Sequence, residues 1–158
     1  KLPDYPELLY DRALAADKLG KFKLLEQDLR KLIKMKPDSA HAYNALGYSL
    51  AERGSQLPEA LKLIKKAVEL SPEDPYIMDS LGWVHYRMGN LVEGLNYLNL
   101  AFAARPDAEI AAHLGAVLWM KGAKDDAKNI WRFALEKDPD NEVLLETLQR
   151  FIKKKIIE

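Results

Sequence analysis

The clearest hydrophobic pattern in this sequence lies between residues 74 and 89. Met78, Leu81, Gly82 and His85 follow one another at the i, i+3, i+4, i+7 spacing of the buried side of an α-helix. The opposite side carries three aromatic residues and one charge of each sign: Tyr76, Asp79, Trp83, Tyr86 and Arg87. Because a solvent-facing side is usually rich in charge, the pattern predicts a helix with one packed side and one contact side.

The pattern recurs at regular intervals along the chain. Leucine–glycine pairs stand at Leu46-Gly47, Leu81-Gly82 and Leu114-Gly115. Seven residues after the glycine of each pair, a second glycine is expected to end the helix. The prolines that close the units are separated by 35, 34 and 33 residues and stand at Pro37, Pro72, Pro106 and Pro139. The chain is therefore built from internal repeats.

A period near 34 residues that carries Leu-Gly, then alanine, then proline resembles the tetratricopeptide repeat (TPR), a helix–turn–helix unit. The alanines that mark the second helix of each unit are Ala67, Ala101 and Ala134. The resemblance covers the chain from about residue 6 to its end. It implies an all-α fold, a right-handed α-solenoid of about four TPR helix pairs with a C-terminal capping helix.

We expect one TPR solenoid domain over residues 1–158, cut from a longer chain because the sequence begins without methionine. The repeats are predicted at residues 6–39, 40–74, 75–107 and 108–140, followed by a last helix at 141–157. First helices are expected at 7–19, 40–53, 75–88 and 108–121, and second helices at 22–35, 58–71, 91–104 and 124–137. The last helix should cover the fourth repeat, with Lys153, Lys154 and Lys155 favourable at its C-terminal end.

Composition narrows the classes of partner. Lys and Arg together number 24, as do Asp and Glu, so the net charge is zero. Nucleic acids and anionic membranes select a basic excess, which this chain lacks. No apolar run approaches the roughly 18 residues of a membrane span, so direct membrane insertion by this segment is not expected. The absence of cysteine excludes disulfides, zinc–thiolate sites and thiol nucleophiles.

The residues that carry chemistry form no catalytic pattern. The three histidines, His41, His85 and His113, have no i, i+4 pair, and neither H-E-x-x-H nor a glycine-rich phosphate-binding motif occurs. His85 is interpreted as a packed histidine of the core. His41 and His113 fall on the other side and could contact a ligand, and the alternative for them is a zinc site together with Asp79. We therefore predict a non-enzymatic chain without cofactor or metal.

A protein-binding surface is the remaining interpretation. The resemblance implies that first helices line the inner, concave wall of the solenoid. The predicted partner-binding residues there are His41, Asn44, Tyr48, Tyr76, Asp79, Trp83, Tyr86, Arg87, His113 and Trp119. Tyr, Trp and Arg are the residues that most often anchor a partner. The alternative is that these aromatics stack between adjacent repeats, and Trp131, on a second helix, is expected in the core.

Three segments resemble a narrower group. Asn44–Gly54, Asp79–Gly89 and Ala111–Gly115 look like the C-terminal repeats of bacterial outer-membrane or periplasmic TPR lipoproteins. That resemblance implies an adaptor or scaffold that binds a carboxyl-terminal processing protease and presents cell-wall hydrolases to it. It also implies a periplasmic, outer-membrane-associated location, with the cytoplasm as alternative. The second functional interpretation is structural: an end segment of a longer TPR array, or self-association through the C-terminal helix.

Overall fold

The computed structural model of the chain describes residues 5–152, and every regular element among them is an α-helix. In chain order the helices are α1 (Pro6–Lys18), α2 (Phe22–Met35), α3 (Ala40–Glu52), α4 (Leu57–Leu70), α5 (Pro75–Arg87), α6 (Leu91–Ala104), α7 (Ala108–Met120), α8 (Lys124–Lys137) and α9 (Glu142–Phe151). The all-α prediction is confirmed, and the bounds of α1–α8 agree with the predicted ones to within one residue. The predicted last helix extends to residue 157, and its lysines at 153–155 lie outside the described residues.

The chain divides into two compact units, unit 1 up to Ser80 and unit 2 from Leu81, with the boundary inside α5. Unit 1 contains α1–α4 and the first half of α5, and unit 2 contains the rest of α5 and α6–α9. A single domain over residues 1–158 stays a prediction, as does self-association through the last helix.

The helices begin and end at residues with suitable chemistry. The side chains of Ser39, Asp107 and Asn141 each accept a hydrogen bond from the backbone N–H three residues later, at the start of α3, α7 and α9. The first helix of each repeat ends before a glycine with positive φ, as predicted, at Gly20, Gly54, Gly89 and Gly122. These local signals explain why the helix bounds could be predicted.

The core of each unit lies between neighbouring helices, both within a repeat and between successive repeats. In unit 1, Leu29, Leu46 and Ile64 are fully buried. In unit 2, Leu98 of α6 packs with Leu114 and Val117 of α7.

Unit 1 also contains an ion pair in which the carboxylate is buried and the arginine side chain is 58% exposed. The carboxylate of Asp28 in α2 is 2% exposed and accepts two hydrogen bonds from the Arg12 guanidinium in α1, at 2.7 Å each. A bidentate arginine–carboxylate contact fixes the relative orientation of the two side chains in addition to pairing their charges. Arg12 stands at the position that holds leucine in the Leu-Gly pairs of the other repeats, and its ion pair joins α1 to α2.

The turn before α4 holds the one strained residue found in the described part of the chain. Gln56 has φ 48° and ψ 50°, the left-handed region, and it is the sole non-glycine residue with positive φ there. A side chain in this region costs roughly 1–2 kcal/mol. The turn, Gly54-Ser55-Gln56-Leu57-Pro58, is one residue longer than in the other repeats, which accounts for the unusual conformation.

Replacing Gln56 by glycine is therefore expected to stabilise unit 1 by about 0.5–1 kcal/mol, since relief of strain exceeds the added unfolded-state entropy. Urea unfolding followed by circular dichroism measures the change. Gln56→Ala is the matched control, because it removes the same side chain but keeps the Cβ atom and gains nothing. Equal stabilities for the two variants would show that the left-handed conformation is not costly.

Candidate partner-binding site

Three aromatic rings of unit 2 form a continuous layer, consisting of Trp83 and Tyr86 of α5 and His113 of α7. The centroid of the Trp83 ring lies 4.4 Å from that of His113, with an interplanar angle of 29°. The Trp83 and Tyr86 rings lie 4.8 Å apart and tilted by 44°. These separations are those of favourable ring pairs, so we call the three residues the aromatic layer.

Burial within this layer differs from the sequence-based expectation. Trp83 and His113 are each 2% exposed, and Asp79, one helical turn before Trp83, is also 2% exposed. Their side chains do not offer the open contact area that the pattern indicated, because the Trp83 ring is covered by Tyr86 on its own helix and by His113 on the next first helix. This is the arrangement expected if the aromatics stack between repeats. Whether these residues take part in binding stays a prediction.

The accessible part of the layer is its edge at the end of α5. Tyr86 and Arg87 are half-buried, with part of each side chain at the surface. His85 lies on the other side of the helix and stacks on Tyr97 of α6, with ring centroids 5.5 Å apart. This agrees with its interpretation as a packed histidine. A contact made by this region would use Tyr86 and Arg87 on a rigid buried support.

Trp119, another predicted contact residue, belongs to a second aromatic group. Its ring lies 5.7 Å from that of Trp131 in α8 and 6.5 Å from that of Phe151 in α9. The Lys124 ammonium lies 5.1 Å from its centroid, within cation–π range. Trp119 is half-buried, and its ring packs against residues of α8 and α9, so it helps to hold α7, α8 and α9 together.

The remaining predicted residues lie in unit 1 and differ in exposure. His41 at the start of α3 is exposed, and Tyr76 at the start of α5 is 37% exposed. Asn44 and Tyr48, one helical turn apart on α3, are half-buried. The side-chain oxygen of Asn44 is buried and has no hydrogen-bond partner among the described residues, a costly state for a polar atom.

A polar group that sequence reasoning missed lies between α1 and α3. The Ser49 hydroxyl donates to the Asp17 carboxylate at 3.5 Å, and Arg53 Nε donates to the Ser49 carbonyl oxygen at 3.3 Å. The Arg53 guanidinium also lies 4.6 Å from the centroid of the Phe22 ring. The pKa of the Asp17 carboxyl is raised, because partial desolvation outweighs the lowering effects of the Ser49 hydrogen bond and the Arg53 charge. As a residue, Asp17 remains exposed. Nothing in the sequence indicated a role for Arg53, because an arginine next to the glycine that ends a helix is common.

Residues 5–152 contain neither a metal-binding cluster nor a membrane-spanning helix. No group of three or more His, Asp or Glu residues in that range is arranged to hold a metal ion. The same range contains no helix whose length and apolar character would let it cross a membrane.

Comparison with known proteins identifies the repeat type. Residues 3–75 match the family model described as tetratricopeptide repeat. The crystal structure of TTC0263, a thermophilic TPR protein of Thermus thermophilus, matches the fold with a TM-score of 0.81 at 23% identity, covering 96% of this chain and 82% of that one. The fold is a tetratricopeptide-repeat solenoid. The TPR protein YrrB, described as having an unusual peptide-binding site, matches with a TM-score of 0.63 at 20% identity over 95% of this chain and 86% of its own.

The TPR repeats also have a much nearer relative in sequence. The TPR repeat-containing protein PA4667 of Pseudomonas aeruginosa is 49% identical over 117 residues, which make up 72% of this chain. The match spans 20% of the length of that relative. TPR proteins are generally non-catalytic scaffolds for protein–protein interaction, which is the functional class that the fold supports.

Proposed function

We propose that this TPR segment is a non-catalytic adaptor that binds a protein or peptide partner through Tyr86 and Arg87. The observation that carries the proposal is the aromatic layer. Trp83 is fixed between Tyr86 and His113, so the two accessible residues stand on a buried support and lose little freedom on binding. Tyr and Arg are also the residue types most enriched among binding hot spots, together with Trp.

The proposal extends to the partner and the compartment. The resemblance of Asn44–Gly54 and Asp79–Gly89 to bacterial envelope TPR lipoproteins supports a carboxyl-terminal processing protease as partner, with cell-wall hydrolases as its substrates. The 49% identity with a TPR protein of Pseudomonas aeruginosa is consistent with a bacterial adaptor. The peptide-binding site described for YrrB supports a binding role for a fold of this kind. We accordingly propose a periplasmic, outer-membrane-associated location.

The test is capture of a processing protease from a bacterial envelope extract on the immobilised chain, identified by mass spectrometry. Tyr86→Ala/Arg87→Ala is expected to reduce capture about tenfold or more, since each hot-spot residue contributes roughly 1–2 kcal/mol. Trp83→Ala is not informative here, because a side chain that is 2% exposed supports folding.

Val92→Ala/Asn96→Ala is the matched control, because both residues are exposed on α6 and lie outside the aromatic layer. Capture should be unchanged in this control. Loss of capture to the same extent in both variants, or failure of the parent chain to retain any processing protease, would contradict the proposal.

A further inference from the structure

Unit 1 has a surface with the form of a binding site, and this surface shares no residue with the aromatic layer of unit 2. A shallow cavity of about 1040 Å³ runs along the outer side of α4. Its apolar lining comes from Tyr43, Pro58, Leu61 and Leu63. The Tyr43 hydroxyl donates to the Pro37 carbonyl oxygen at 3.0 Å, which fixes that ring in place.

Two lysines along this cavity have no counter-ion in the described part of the chain. Glu59 is bound to Arg30 at 2.8 Å, and Lys66 is bound to Glu69 at 3.4 Å. Lys62 and Lys65 are exposed, line the cavity, and form no ion pair with any residue in the range 5–152. The lining therefore combines an apolar floor with a positive rim, although the whole chain has no net charge.

This combination is specific to the second repeat. The residues that correspond to Lys62 and Lys65 in the third repeat are Asn96 and Asn99, when Ala60 is aligned with Gly94. Both asparagines are exposed on α6, as the lysines are on α4. In the first and fourth repeats the Lys65 position holds Arg30 and Arg132, but the Lys62 position holds Gln27 and Asn129, so both positions are basic in the second repeat alone.

The turn that leads into α4 adds a second distinctive feature. Gln56, in its strained left-handed conformation, lies two residues before Pro58, which lines one end of the cavity. Strain of this kind persists where the surrounding structure requires it and is concentrated at functional sites. The inserted turn residue and the cavity therefore coincide in one place.

We propose that the α4 cavity binds a short extended acidic segment of a partner protein, with one apolar side chain on the cavity floor and carboxylates on Lys62 and Lys65. From Pro58 to Glu69 the helix rises about 16 Å, which matches about five residues of extended chain. In an extended peptide alternate side chains lie on the same side, so the first and fifth carboxylates of a five-residue segment face the helix together with a central apolar residue. These two carboxylates are about 13 Å apart, which two long lysine side chains that diverge from neighbouring positions on the helix can span. Charge complementarity selects an acidic partner over a basic one.

Fluorescence anisotropy with fluorescein-labelled Glu-Glu-Leu-Glu-Glu tests this proposal on the full chain. Lys62→Glu/Lys65→Glu is expected to weaken binding about tenfold or more, because two attractive contacts become repulsive. Asn96→Glu/Asn99→Glu introduces the same charges at the corresponding positions of α6 and should leave binding unchanged. Circular dichroism of both variants establishes that they fold.

Two further peptides separate the contributions of the floor and the rim. Replacing the leucine by serine should weaken binding, and replacing all four glutamates by lysines should abolish it. The proposal is overturned if the acidic peptide does not bind, if the lysine peptide binds equally well, or if the serine peptide binds as tightly, which would indicate charge attraction alone. Equal weakening by the α4 and α6 variants would also overturn it. None of these outcomes depends on Tyr86 or Arg87.

Discussion

Replacing Trp131 by alanine is expected to lower the free energy of unfolding by about 3–5 kcal/mol, the range for truncating a buried aromatic side chain. Trp131 is 1% exposed, and its ring lies 5.7 Å from that of Trp119 and 5.8 Å from that of Phe151. Its Nε1 donates to the Ala112 carbonyl oxygen at 3.2 Å. The indole therefore connects α7, α8 and α9, and its removal leaves a cavity among all three.

Gly115 shows how closely this indole is packed. A Cβ atom placed on Gly115 would overlap the Trp131 ring, so the ring fills the space next to the α7 backbone. Because that space is lined by helix backbone, it cannot collapse when the indole is removed, and the cost should fall toward the upper end of the range.

The measurement is urea unfolding followed by circular dichroism, with Trp131→Phe as the matched variant. Phenylalanine keeps a ring among Trp119 and Phe151 but loses the hydrogen bond, so its cost should be about 1–2 kcal/mol. For a chain of this size, the alanine variant should also melt about 6–20 °C lower. An alanine variant no less stable than the phenylalanine variant would show that the ring packing contributes little.

The position of Trp131 is one of the features that the sequence alone could predict. It stands on a second helix at a position that the repeat reserves for a core aromatic, and its burial confirms the expectation. The helix bounds were predictable for a similar reason, since glycines, prolines and capping residues act within a few residues of where they stand.

The exposure of Trp83 could not be predicted in the same way. Periodicity separates the two sides of α5, but it does not reveal what the second side meets. The ring of His113, thirty residues later, covers Trp83, and that contact depends on how close α5 and α7 lie. A side that is aromatic and nearly uncharged is compatible both with partner binding and with packing between repeats, so the pattern left the choice open.

The polar contacts were the least predictable. Asp28 on α2 reads as a residue of a charged helix side, yet it is buried and bound to Arg12. From the sequence Lys62 and Lys65 are ordinary exposed lysines. That they have no counter-ion among residues 5–152 becomes visible only when Glu59 is seen on Arg30. Such pairings depend on long side chains from different helices, for which the spacing along one helix carries no information.

Replacing Gly82 by alanine has the second large expected effect, a loss of about 2–3 kcal/mol, because the substitution overfills a helix crossing in unit 2. A Cβ atom at Gly82 would lie 2.7 Å from Leu98 Cγ, 2.9 Å from the Gly94 carbonyl oxygen and 3.1 Å from the Leu98 backbone nitrogen. Two of these three atoms belong to the backbone of α6 and cannot rotate away. The loss should therefore exceed the roughly 1 kcal/mol that alanine gains over glycine as a helix former.

Gly94 explains why the crossing at Gly82 is so sensitive. A Cβ atom at Gly94 would lie 3.0 Å from the Gly82 carbonyl oxygen and 3.2 Å from the Tyr86 backbone nitrogen. The corresponding residues of the neighbouring repeats are Ala60 and Ala127, so α5 and α6 face each other with glycine on both helices, where the pairs α3–α4 and α7–α8 have one. The sequence showed a small residue at this position, and the structure gives its reason.

Gly89→Ala is the matched control for Gly82→Ala in urea unfolding. Apart from its two chain neighbours, no heavy atom of the described residues lies within 4 Å of a Cβ atom placed on Gly89, but its φ of +87° disfavours a side chain. The control should therefore cost about 1 kcal/mol through backbone strain alone. The excess loss at Gly82 measures the close approach of α5 and α6. If Gly82→Ala cost no more than Gly89→Ala, the two helices would be free to separate by a few tenths of an ångström, and the crossing would not constrain the position of Trp83 and Tyr86 on the aromatic layer.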